Sequence, residues 1–115
     1  MLELLVNLST LELDFTDCNQ ITDEGLKSLA QPIVPISIML ENFKFDLTNC
    51  CLITDQGIRD LAEILEWLSC LKSLELYFGG CNQITDEGIS VIGSAVKRMS
   101  GLEHLQVSFM ECGRI

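Results

Sequence analysis

Four short runs alternate apolar and polar residues: Leu11-x-Leu13-x-Phe15, Phe43-x-Phe45-x-Leu47, Leu74-x-Leu76-x-Phe78 and Leu105-x-Val107-x-Phe109. A period of two sends successive side chains to opposite faces, so each run predicts a strand with one buried face. A leucine stands three residues ahead of each run, at Leu8, Leu40, Leu71 and Leu102. Between the runs the apolar spacing becomes helical: Leu26, Leu29, Ala30; Ile58, Leu61, Ala62, Leu65; Ile89, Ile92, Ala95, Val96, Met99. Three helices follow from it. Thr22, Thr54 and Thr85 stand at their N-cap positions, with Asp23, Glu24, Asp55, Asp86 and Glu87 in the first turns, where a carboxylate complements the helix dipole. Pro32 and Pro35 interrupt the first helical stretch. Proline inside a helix costs about 3 kcal/mol, so this helix is expected to stop near Ala30 or Gln31 and the chain to return extended through Ile33–Ile38. Trp67 is expected in the core or packed between units.

The same punctuation returns at a fixed interval. Cys-Asn-Gln-Ile-Thr-Asp-Glu-Gly occupies 18–25 and again 81–88, and Cys-Cys-Leu-Ile-Thr-Asp-Gln-Gly occupies 50–57. Cys18, Cys50, Cys81 and Cys112 are 32, 31 and 31 residues apart. A period of this size marks a stacked array in which each unit is a strand, a turn, a helix and a return. Strands joined in this way run parallel. The chain thus divides into a repeat tail at 1–7, repeats at about 8–39, 40–70 and 71–101, and a partial repeat at 102–115, all in one domain of 115 residues. Met1–Val6 matches the end of a repeat helix. No polar capping repeat stands at either end, and an open strand edge invites pairing. A place within a longer array, or self-association through uncapped ends, is the expectation.

Leu-x-x-Leu-x-Leu followed by Cys, Ile-Thr-Asp-x-Gly and a helix resembles a leucine-rich repeat of the ribonuclease-inhibitor or cysteine-containing type. The resemblance runs from Met1 to Ile115. It implies an α/β solenoid, a partial horseshoe whose parallel sheet of about four strands lines the concave side with helices on the convex side. Leu13 to Cys18 is five residues where the commoner repeat leaves three, so each strand is lengthened by an alternating pair ending in Phe15, Leu47, Phe78 or Phe109. What the family resemblance implies for function is protein binding without catalysis. Two other readings come with it: the substrate-recognition array of a ubiquitin ligase complex, and a fragment of a Ran-type GTPase-activating protein. The first needs an F-box segment that the sequence lacks, and no residue is assignable to the second.

Charge and chemistry narrow the rest. Seventeen acidic against seven basic residues give a net charge of −10, which argues against nucleic acid, since phosphate binders cluster Lys and Arg. The apolar run Ile33–Leu40 is far below membrane-spanning length, and Met1–Val6 is too short for a signal segment. Cytoplasmic residence is expected, with the nucleus as the alternative. Parallel strands lie about 4.8 Å apart, so the four periodic cysteines form a line and not a tetrahedral metal site. They are expected to be small buried apolar side chains. Asp17, Asn19 and Asp23 suggest a calcium loop, but Ile21 occupies a required oxygen position. His104, the one histidine, points away from the cysteines by alternation. Neither a cofactor nor a metal is expected.

The outward face of the strands remains as the candidate site. Glu12, Asp14, Asp46 and Glu75 make it acidic, Lys44 and His104 lie among them, and Tyr77 is the aromatic contact. A protein partner, basic in character, is the expectation. Four strands of four outward residues offer on the order of 200 Å², against about 800 Å² per partner in a standard interface.

Overall fold

The computed structural model describes residues 8–112; the Met1–Val6 expectation lies outside them. Four strands, β1 (Thr10–Asp14), β2 (Asn42–Asp46), β3 (Ser73–Tyr77) and β4 (His104–Ser108), form one parallel sheet in the order β1-β2-β3-β4. The register follows the repeat: Leu11, Phe43, Leu74 and Leu105 are neighbours across the sheet, as are Leu13, Phe45, Leu76 and Val107. Helices α1 (Asp23–Ser28), α2 (Ala30–Ile33), α3 (Asp55–Glu66) and α4 (Asp86–Lys97) carry the chain back between strands. Their apolar residues Leu26, Ile58, Leu61, Leu65 and Ile92 share one core with Phe43, Phe45, Leu74, Leu76 and Phe78. The result is a leucine-rich-repeat solenoid arrangement, a sheet on one side and helices on the other.

The lengthened strand is visible in the backbone. Ladder bonds continue past each strand, from Asp17 N–H to Thr48 O (2.8 Å), Asn49 N–H to Gly79 O (2.7 Å) and Gly80 N–H to Met110 O (2.8 Å). Each strand then closes in one turn, with Cys18, Cys50, Cys81 and Cys112 N–H donating to the carbonyls of Phe15, Leu47, Phe78 and Phe109. The residue before each cysteine takes positive φ: Asp17 (63°), Asn49 (65°), Gly80 (74°) and Glu111 (61°). That conformation suits the third position of a type II turn, where Gly and Asn are favoured.

The first helical stretch departs from expectation. It does not return extended through Ile33–Ile38; it breaks at Leu29, resumes as α2 and runs on as a 3₁₀ helix over Val34–Met39. The break creates new helix starts, and Pro32 and Pro35 fall in first turns, where a backbone N–H has no intrahelical acceptor to lose. So four α-helical segments and a 3₁₀ helix stand where three helices were expected. Of the two places expected for Trp67, it takes the one between units and not the core. It caps the C-terminus of α3 and is 56% exposed, beside Lys27, Ala30, Asp60 and Glu63.

Candidate functional site

Register alone assembles the outward face. Glu12, Lys44, Glu75 and Gln106 form one row across the sheet, Asp14, Asp46, Tyr77 and Ser108 the next, and Thr10, Asn42, Ser73 and His104 a third. Every residue assigned to the face from the sequence is thus on it. His104 lies at the β4 edge, one row and two strands from Lys44, so it belongs to the margin. Four carboxylates surround one ammonium. Lys44 Nζ sits 5.7 Å from the centroid of the Tyr77 ring, within cation–π range. The Tyr77 hydroxyl donates to Glu75 Oε1, and that bond raises the Tyr77 pKa. Thr10, Glu12, Asn42, Phe43, Lys44, Ser73 and Glu75 line an open depression.

The two aspartates are held in place rather than dangling. Asp14 Oδ1 accepts from the Thr16 amide (2.9 Å) and hydroxyl (2.6 Å), and Asp46 Oδ1 accepts the same pair from Thr48 (2.9 and 2.6 Å). The hydroxyl and amide of Thr16 hold the Asp14 pKa below the usual carboxylate value. Thr16 and Thr48 stand two residues beyond these acids, and the recurrence of Asp-x-Thr at 14–16 and 46–48 is the sequence signal of the bonding. The third repeat has Tyr77 and Gly79 there, so the motif stops after two copies.

Behind the face, the joint between repeats uses the residues first read as helix caps. Thr54 and Thr85 do cap, accepting from the amides of Gln56 and Glu87. Each also donates its hydroxyl and amide to the aspartate one repeat earlier: Thr54 to Asp23 and Thr85 to Asp55, with N–H···O distances of 2.9 Å. Thr22 occupies the N-cap position of α1 without a side-chain cap bond. A side chain at Gly57 would overlap the Asp23 carboxylate, and one at Gly88 that of Asp55. The motif Thr-Asp-x-Gly is therefore a joint: aspartate reaches forward, threonine receives it, and glycine leaves it room.

The cysteines are a second column of that joint. The Cys50 thiol donates to Phe15 O (3.1 Å), Cys81 to Leu47 O (3.1 Å) and Cys112 to Phe78 O (3.2 Å). A thiol is a weak donor, yet these three meet strand-end carbonyls that stacking has removed from water. Burial pushes the Cys50 pKa up to about 11 and that of Cys81 to about 12, and raises that of Cys112. Such thiols are poor nucleophiles. Cys18 departs from the expected burial; it is exposed, as is Cys70. Its column has no earlier strand among the described residues. Among those residues no group of three or more His, Cys, Asp or Glu side chains is placed to hold a metal ion, and no helix is long and apolar enough to cross a membrane.

A family profile described as "Leucine Rich repeat" matches residues 7–30, 44–62 and 68–93, together more than half of the chain. The chain belongs to the leucine-rich-repeat family. Each matched segment of this leucine-rich-repeat protein includes part of a strand-to-helix unit, and the outward row of each strand is the surface that the repeats present together. No curated protein matches the chain.

Proposed function

We propose that this leucine-rich-repeat protein is a non-catalytic interaction module whose concave sheet face receives a basic segment of a protein partner. Leucine-rich-repeat domains generally serve protein–protein interaction. The observation that carries the finer reading is the outward pair of rows, where Glu12, Asp14, Asp46 and Glu75 surround the Lys44–Tyr77 contact on one sheet. The bonds from Thr16 and Thr48 orient two of these acids before any partner arrives, which lowers the ordering cost of binding. The face offers roughly 200 Å², so a stable complex draws on neighbouring repeats in a longer array of the cysteine-containing type. Repeats at about 8–39, 40–70 and 71–101 are the units of that array. Six unpaired cysteines suit a reducing compartment, and cytoplasmic residence is part of the proposal.

The test is fluorescence anisotropy with a labelled Lys/Arg-rich peptide, at low and at high salt. The Glu12→Ser/Asp14→Ser/Asp46→Ser variant is expected to bind at least tenfold more weakly and with a flatter salt dependence. Equal affinity and equal salt dependence would remove the concave acids from the binding surface.

A further inference from the structure

On the outward face the middle row runs Glu12, Lys44, Glu75 across three strands, so two glutamates flank one lysine. Their Cα atoms are two strand spacings, about 10 Å, apart. Lys44 does not neutralise them. Among the described residues it forms no ion pair with either, and its ammonium lies near the Tyr77 ring in the neighbouring row. The depression beside this row holds about 270 Å³. Small-molecule pockets begin at about 300 Å³, so there is room for a side chain rather than a whole ligand. Its lining is rich in acceptors. Asn42 spends its amide nitrogen on Thr10 Oγ1 (3.1 Å), which leaves its carbonyl oxygen as an acceptor. Glu75 receives the Tyr77 hydroxyl on Oε1, which leaves Oε2. Glu12 and the Ser73 hydroxyl complete the lining. A further stacked repeat adds its strand beside β1 or β4, so stacking does not cover this face.

We propose that this depression is an arginine site: one guanidinium of the partner segment enters between Glu12 and Glu75. The inference rests on the concave face receiving a basic segment, and it names the side chain that the face selects. A guanidinium is planar and fans out five N–H donors, so it bonds acceptors on both sides at once. An ammonium concentrates three donors at one point and reaches only one side of an opening about 10 Å wide. Paired N–H···O bonds to a carboxylate add to the preference. Tyr77 acts as a positioning residue. It holds the chain's own ammonium away from the two glutamates and orients Glu75, without itself lining the depression. Once the ring is removed, Lys44 falls back between the glutamates that flank it in register and competes with the incoming arginine.

Two labelled heptapeptides of equal charge separate guanidinium recognition from general attraction: one is all lysine, the other has arginine at its centre. In anisotropy titrations of the whole chain the arginine peptide is expected to bind at least fivefold more tightly. Asn42→Leu and Glu75→Gln are each expected to bring the two peptides level. Tyr77→Leu is expected to weaken the arginine peptide at least fivefold, and Tyr77→Leu/Lys44→Met to recover it. Loss of a simple Tyr77 contact would give no such recovery. These positions are exposed or half-buried, and circular dichroism checks that each variant folds. Equal binding of the two peptides to the wild-type chain overturns the arginine site and leaves the basic-segment reading standing. A preference for arginine that both Asn42→Leu and Glu75→Gln leave intact overturns it too, as does a Tyr77→Leu defect that Lys44→Met does not recover. Absence of binding by either peptide overturns both readings.

Discussion

Asp23 and Thr54 lie 31 residues apart in sequence and share two hydrogen bonds, the Thr54 amide and hydroxyl donating to the two carboxylate oxygens at 2.9 and 2.6 Å. The pair ties the first repeat to the second at the point where α3 begins. Gly57 closes the arrangement, because any side chain there meets the same carboxylate. The consequence is a coupling between two positions that belong to different repeats.

Asp23→Ala leaves a part-buried amide and hydroxyl without their acceptor and is expected to cost about 1–3 kcal/mol. Gly57→Ala would by helix propensity gain about 1 kcal/mol, but the clash with Asp23 is expected to make it destabilising by about 1–3 kcal/mol. In the double variant the clash with the carboxylate is gone and the 3.1 Å approach to Leu26 Cδ1 remains, so the cost of Gly57→Ala should shrink. Urea denaturation of the four proteins in this cycle measures the coupling; simple additivity would mean the contact carries no weight.

Thr85→Ala removes the cap and the hydroxyl bond to Asp55 together and keeps the amide bond. Its expected cost is about 1–2 kcal/mol. Thr22 makes no side-chain cap bond and, among the described residues, no bond to an earlier aspartate, so Thr22→Ala is expected to cost only a few tenths of a kcal/mol. The comparison is read from thermal unfolding of the two variants side by side.

Leu74 and Leu105 are sheet neighbours with opposite surroundings, 0% and 46% exposed. Leu74→Ala leaves a cavity between β2, β3 and the helices and is expected to cost about 3 kcal/mol. Leu105→Ala, at a partly open edge, is expected to cost under about 1 kcal/mol. Equal costs in chemical denaturation would contradict the core described here.

The buried thiols give a pH signature. Burial raises the folded pKa of Cys50 to about 11 and of Cys81 to about 12, above the ordinary value of 9.0. Between those values the unfolded chain has lost protons that the folded chain keeps, so stability falls as pH rises. The contribution is complete below pH 9.0 and lost as pH climbs through 11 and 12. Urea midpoints taken across this range are expected to fall less steeply in a Cys50→Ala/Cys81→Ala variant. At mildly alkaline pH, iodoacetamide is expected to label Cys18 and Cys70 quickly and Cys50 and Cys81 only on unfolding, as peptide mass mapping would show.

The strands, their register and the outward face were legible in the chain because a two-residue alternation repeated at 31–32 residues leaves one way to stack the units. Glu12, Asp14, Lys44, Asp46, Glu75, Tyr77 and His104 therefore fell on the predicted face. What Thr-Asp-x-Gly is for was not legible. Within one repeat the aspartate reads as a first-turn charge; its hydrogen-bond partner comes from the next repeat, and only stacking brings that threonine to it. The same limit applies to Cys18 and Cys81. They share a motif, yet one is exposed and the other buried, because burial depends on whether an earlier strand lies beneath the thiol. Pro32 and Pro35 were read as ending helical structure, whereas the break at Leu29 turned them into first-turn residues of new helical segments. Local periodicity determines which face a residue takes. Its hydrogen-bond partners and its exposure are properties of the stack, because the groups that meet there are some thirty residues apart along the chain.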